Sequence, residues 1–153
     1  MHRIRFLTFT LAFLALAVGC GENGDTADPR GDVDAAPSLS EFELEHGIGP
    51  ITSEVTLGDL DPEMAARGQE LFEFNCEACH MLEERFVGPP VGDVLERRSP
   101  AFVMNMILNP EQMAREHPEG QAMLAEYPLV MPFQNISEDE ARAIVEYLRT
   151  VME

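Results

Sequence analysis

Basic residues are scarce in this chain. Its 153 residues include 10 Lys and Arg against 28 Asp and Glu, a formal net charge of -18. A surface of that sign repels nucleic acid and anionic lipid headgroups, and it favours a partner with a basic docking face. Cysteine is scarce too. Cys20, Cys76 and Cys79 are odd in number, so no disulfide framework uses them all and each thiol needs its own explanation. No apolar run reaches the length of a membrane-spanning helix: residues 6–18, apolar except for Thr8 and Thr10, stop short of the roughly 20 residues required. There is no internal repeat. The length suits one small domain plus extras.

Residues 1–19 read as a signal peptide, with His2, Arg3 and Arg5 as the basic start and residues 6–18 as the apolar stretch. The run ends in Leu16-Ala17-Val18-Gly19-Cys20. A small residue and then Cys, directly after the apolar stretch, resembles the lipobox of bacterial lipoproteins, which are cut before the Cys and acylated on it. Here Leu16 falls one place early and Ala17 occupies its slot. The resemblance implies lipidation of Cys20 and a membrane anchor facing the periplasm or cell exterior, because several acyl chains hold stably in a leaflet. Gly21, directly after the Cys, is compatible with the outer membrane of a two-membrane host. Two other readings compete. Ala15-Leu16-Ala17 is an ordinary A-x-A cleavage pattern that would release a soluble periplasmic protein, and an uncleaved anchor is the third. The thiol that simple cleavage would strand at Cys20 favours lipidation.

Residues 20–40, from the lipidated Cys onward, are rich in Gly, Asp, Ala and Pro and read as a flexible, self-repelling tether. Residues 41–60 read as an extended arm: Glu41-Phe42-Glu43-Leu44-Glu45 alternates with period two, and His46-Gly47-Ile48-Gly49-Pro50 resembles a turn. From residue 61 to 153 the signals are helical. Asp61 precedes Pro62 in the pattern of a helix start, Ser99-Pro100 opens a second helix, and Asn109-Pro110 opens a third that breaks at Pro118. Residues 121–127 suggest a short further helix. Ser137-Glu138-Asp139-Glu140 is a capping box ahead of an apolar stripe through Ala141, Ile144, Val145, Leu148 and Met152.

Cys76-Glu77-Ala78-Cys79-His80 is a C-x-x-C-H sequence, the signature of covalent haem attachment. Two thiols three residues apart can reach the two vinyl groups along one porphyrin edge, and the next residue can swing an imidazole over the iron. A zinc site would need a second ligand pair at similar spacing, and none exists. A redox dithiol would sit among alternating strands and helices, which are also missing.

Residues 62–153 resemble the class I cytochrome c family, beyond the pentapeptide. Gly68-Gln69-Glu70-Leu71-Phe72 and Asn75 match that family's N-terminal helix, and Ile144, Tyr147 and Leu148 match the facing residues of its C-terminal helix. The resemblance implies an all-α cytochrome c fold around one covalent haem c. It implies Cys76 and Cys79 as attachment points and His80 as the proximal iron ligand. Gly88-Pro89 matches the segment whose Pro89 carbonyl accepts the imidazole N–H. Met131, in Val130-Met131-Pro132-Phe133, matches the Met-Pro loop that supplies the sixth ligand. Met104, Met106, Met113 and Met123 sit in helical patterns and read as core filler, and Met81 is too close to His80 to reach the opposite face. His46 and His117 can ligate iron in principle, but a lone His in a polar stretch reads as solvated.

A weaker resemblance links Arg97-Arg98-Ser99-Pro100, Met104-Asn105-Met106-Ile107-Leu108-Asn109-Pro110 and the Glu45-His46-Gly47-Ile48-Gly49-Pro50 arm to cytochromes of nitrous oxide reductase gene clusters. Arg97 or Arg98 could pair with a haem propionate, with a solvated loop charge as the bland alternative. The expectation is a non-enzymatic single-electron carrier in an exported respiratory chain, exchanging electrons with redox proteins. The competing class is a haem-based sensor or small peroxidase with an open sixth position, which would want a distal imidazole from His46 or His117.

Overall fold

A computed structural model describes residues 38–127 and 129–152. The proposed signal peptide, Cys20 and nearly all of the tether lie outside them. Among the described residues the chain is all-α: α1 (Glu41–His46), α2 (Pro62–Asn75), α3 (Val94–Arg97), α4 (Pro100–Leu108), α5 (Pro110–Glu116), α6 (Pro118–Glu126) and α7 (Glu138–Thr150). None of these helices is long and apolar enough to cross a membrane.

The helix starts follow the capping chemistry of the sequence. The Asp61 carboxylate accepts the backbone N–H groups of Glu63 and Met64, and Pro62 occupies the first turn, where a missing donor costs nothing. Ser99 caps α4 by accepting from Phe102 N–H. Ser137 and Glu140 close a reciprocal capping box on α7. Helices α2 and α7 cross closely at Gly68, where a Cβ would run into the backbone carbonyl of Ala143. Phe72 packs on Tyr147 beside the crossing, ring centroids 5.5 Å apart. The main core collects Phe72, Val103, Ile107, Ile144, Val145 and Leu148 from α2, α4 and α7. A smaller cluster of Ile48, Phe102 and Met113 joins the N-terminal arm to α4 and α5.

The arm departs from the extended expectation. Glu41–His46 is helical, because Ser40 and Glu43 form a second capping box and Phe42 stacks on His46 one turn later, at 4.5 Å. Five residues of alternation cannot separate a strand from a short capped helix. Residues 51–60 form neither helix nor strand. Helix α6 starts earlier than residue 121, because the His117 ring accepts from Glu119 N–H and acts as its N-cap. Imidazole is not among the usual capping groups. The short α3 had no sequence signal.

His46 and His117 correct the solvated reading: they are 8% and 1% exposed. His46 Nδ1 lies 2.7 Å from Ser99 Oγ, and His117 Nε2 donates toward the carbonyls of Glu43 at 3.1 Å and Leu44 at 3.3 Å. Asn105, fully buried on α4, completes the attachment: its Nδ2 donates to the carbonyls of His46, Gly47 and Ile51, and its Oδ1 accepts Ile51 N–H. Each ring lies in a polar stretch of sequence but is buried by the arm folding back on α4–α6.

Candidate functional site

The C-x-x-C-H segment leaves α2 as a tight turn. Cys76 is the C-cap, its N–H bonding Phe72 O, and both Cys79 and His80 donate to the Cys76 carbonyl. Gly88 N–H reaches back to Cys79 O at 2.8 Å, which lays residues 88–89 beside the motif. His80 Nδ1 then lies 2.9 Å from Pro89 O. A carbonyl can only accept, so Nδ1 carries the proton and Nε2 has its lone pair available for another group. Gly88 is needed for the approach, since a Cβ there would fall 2.5 Å from His80 Cε1.

His80 faces a largely apolar cavity of about 600 Å³, within the range of ligand and cofactor sites. Cys76, Cys79, His80 and residues 87–91 form one bank. Met106 and Ile107 of α4, Met123 of α6, residues 129–132, and Ile144 and Leu148 of α7 complete it. Cys76, Cys79, His80, Pro89 and Met131, separated by up to 55 positions in sequence, therefore line a single space.

The other methionines divide. Met104 and Met113 are buried in the core as anticipated, whereas Met106 and Met123 line the cavity as well as packing against the smaller cluster. Met81 does not line it. Arg97 and Arg98 both do, yet each has a carboxylate partner: Arg97 grips Asp93 at 2.7 and 3.1 Å, and Arg98 pairs with Glu119 while its guanidinium sits 5.1 Å from the Phe102 ring. Two features carried no sequence signal. Arg85, beside the cavity, bonds Glu126 across it. The Asp61 backbone is pinned to Glu146, a fully buried carboxylate held by Arg142 and Arg149.

The Cys76 thiol is ill suited to ionic chemistry. Burial, and then the neighbouring Cys79, push the Cys76 thiol up to about 11. Cys76 also caps the C-terminal end of α2, where the helix dipole opposes negative charge, whereas redox C-x-x-C pairs draw on a helix N-terminus. A neutral, buried thiol beside an apolar cavity suits a thioether bond better than a zinc thiolate or redox dithiol. Among the described residues no group of three or more His, Cys, Asp and Glu could hold a bare metal ion.

The family model for Cytochrome c matches residues 65–152. The cytochrome c from Rhodothermus marinus is 43% identical, with a TM-score of 0.69 over 74% of this chain and 97% of that one. An engineered form of it, Rma TDE, matches at the same identity with a TM-score of 0.68, covering 72% of this chain and 96% of its own. The same engineered protein bound to a carbene intermediate gives 0.65 with the same coverage. No match was found among curated protein sequences. The cavity's size, its apolar walls, the two thiols on its wall and an imidazole with an available nitrogen fit a covalently bound porphyrin. The chain belongs to the cytochrome c family, and its cofactor is one covalently attached haem c.

Proposed function

We propose that the chain is a single-electron carrier of an exported respiratory chain, its haem joined to Cys76 and Cys79 and its iron held between His80 and Met131. The observation that carries this reading is the convergence of these four side chains on one cavity. When bound, the haem supplies reversible one-electron exchange between Fe(III) and Fe(II). The protein's part is to hold and tune it. The Pro89 carbonyl orients the His80 ring and makes Nε2 a stronger donor. The Met131 thioether, a soft neutral donor, favours Fe(II) and raises the potential relative to two histidines. With His80 and Met131 both committed to the iron, no open site would remain for a substrate, and the chain would act as a carrier and not an enzyme.

The sensor or peroxidase alternative draws no support from the cavity. Among the described residues His80 is the only histidine lining it, while His46 and His117 are committed to the arm. Visible spectra of the haem-loaded protein, oxidised and reduced, beside Met131→Ala test the assignment. A ferric Met–iron charge-transfer band present only in the parent protein is the expected result. A parent protein without the band that readily binds carbon monoxide would return the open-site reading.

Place and partner follow from the N-terminal segment and the charge. Cys20 carries the lipid anchor, residues 21–40 tether the domain to a membrane facing the periplasm or cell exterior, and the partners are redox proteins with a basic docking face. A tether of this kind raises the local concentration of the domain near a membrane-associated partner. Labelled-palmitate incorporation that Cys20→Ala leaves intact would remove the anchor. The weaker resemblance makes a nitrous oxide reductase the candidate acceptor. A deletion strain that consumes nitrous oxide normally would exclude that route.

A further inference from the structure

Arg85 lies in the segment between His80 and α3, where residues 87–91 form the histidine-side bank of the cavity. Its side chain crosses to the opposite bank. Nη1 donates to Glu126 Oε1 at 3.0 Å, Nη2 donates to the Glu126 backbone carbonyl at 2.9 Å, and the guanidinium stands 4.1 Å from the centroid of the Tyr127 ring. Glu126 is the last residue of α6 and Tyr127 its C-cap, and both line the cavity. Met131 follows four residues after Tyr127.

We propose that Arg85 is a positioning residue for the sixth iron ligand, a latch between the two banks of the cavity that fixes the start of the segment carrying Met131. The latch rests on the reading of Met131 as that ligand. Beyond the packing of Met131 itself against the main core, little else secures that segment. Residues 129–136 form neither helix nor strand, Leu129 and Phe133 are 61% and 56% exposed, and the local bonds are short-range, from Leu129 N–H to Tyr127 O and from Gln134 to Pro132 O. The chain enters from Tyr127 and is next buried at Ile136. Fixing Tyr127 therefore narrows where Met131 can reach.

An exposed ion pair alone contributes little. Arg85 is a different case, since one planar group binds a carboxylate and a helix-terminal carbonyl while stacking on an aromatic face. The carbonyl is one of those a helix end leaves unpaired, and the positive charge lies at the negative end of the α6 dipole. Lysine keeps the charge but loses the fork and the stacking.

The test compares haem-loaded parent protein with Arg85→Ala, Arg85→Lys and Met131→Ala. Arg115→Ala serves as a control, because among the described residues the side chain of that arginine pairs only with Glu111 within α5. Urea titrations follow the ferric Met–iron band alongside the far-ultraviolet helical signal, and carbon monoxide association is timed on the reduced proteins. The expected result is that both Arg85 variants lose the band at lower urea while helicity holds, and that they bind carbon monoxide several times faster. Arg115→Ala should match the parent. A band lost in Met131→Ala but titrating unchanged in both Arg85 variants would overturn the latch alone. A band that survives Met131→Ala would overturn the latch together with the ligand assignment.

Discussion

The imidazole Nδ1 of His80 lies 2.9 Å from the carbonyl oxygen of Pro89, and the glycine between that proline and the motif is what lets the two meet. A methyl group at position 88 would crowd Cε1 and Nδ1 of the ring at 2.5 and 2.9 Å. Gly88→Ala should therefore tilt the imidazole and weaken its bond to Pro89. With His80 as the proposed iron ligand, a weaker outer bond makes it a poorer donor, which favours Fe(II). The expected outcome is a rise in reduction potential with the c-type reduced spectrum retained, read by redox titration. An unchanged or lowered potential would contradict this role for the bond.

The crossing of α2 and α7 makes a sharper stability prediction. Gly68 faces the Ala143 carbonyl and Tyr147 Cβ, and the obstructing atoms are mostly backbone, which cannot step aside. Gly68→Ala should cost about 3 kcal/mol, at the upper end for overpacking, seen as a lower urea midpoint. At Gly58 a Cβ would meet nothing within 4 Å, and the backbone there is not left-handed. Gly58→Ala should be neutral or stabilise by about 0.5 kcal/mol, through a less free unfolded chain. Equal effects at the two sites would mean the crossing is looser than its geometry.

What could be read in advance, and what could not, follows from the range of the interactions. Asp61, Ser99 and Ser137 announce their helices because a cap acts on N–H groups two or three residues away. Cys76, Cys79 and His80 are equally local. Met131 and Pro89 are singled out by likeness to a family, since nothing near them in sequence states that they line the same cavity. The arm failed for the opposite reason. His46, His117 and Asn105 look like isolated polar residues until the chain folds back, and the bonds that bury them join the arm to residues 53 positions or more away. Arg85 and Glu126, 41 apart, carry no pattern at all.

Asn105 offers a direct probe of the arm. It is 0% exposed and satisfies three carbonyls and one N–H of residues 46–51. Ile48 N–H meanwhile bonds the Met113 sulfur at 3.0 Å and Asn109 Nδ2 donates to Ile48 O, so with the His46 and His117 bonds the arm has other holds. Asn105→Ala strands buried backbone groups, each costing about 1–3 kcal/mol. Because residues 46–51 can swing out to water, the full sum should not be felt. The expected loss is about 3 kcal/mol, accompanied by faster hydrogen exchange at Ile51 and new proteolytic cleavage near residues 47–51. Helix α7 should keep its protection. Uniform loss of protection across α2 and α7 would show that the arm is part of the main cooperative unit.

Glu146 contributes to the acid behaviour of the domain. Burial alone would raise its carboxyl, but the Asp61 N–H and the Arg142 and Arg149 guanidinium groups outweigh it and hold the group below the usual carboxylate range. A carboxylate with a depressed folded pKa contributes stability that is complete above its unfolded value, about 4.3, and is lost as the pH falls through the lower folded value. Glu146→Gln preserves shape and an acceptor oxygen but removes the charge, leaving two partly buried arginines opposed only by a dipole. At about pH 7 the variant should be less stable by about 2 kcal/mol, since both arginines retain some water. At about pH 3, below the unfolded value, the gap should narrow, because the unfolded parent then takes up a proton that the folded carboxylate resists and the stability gained from the charge declines. Urea midpoints at the two pH values measure this. A gap of the same size at both would mean that the side-chain shape, and not the charge, secures Asp61 to α7.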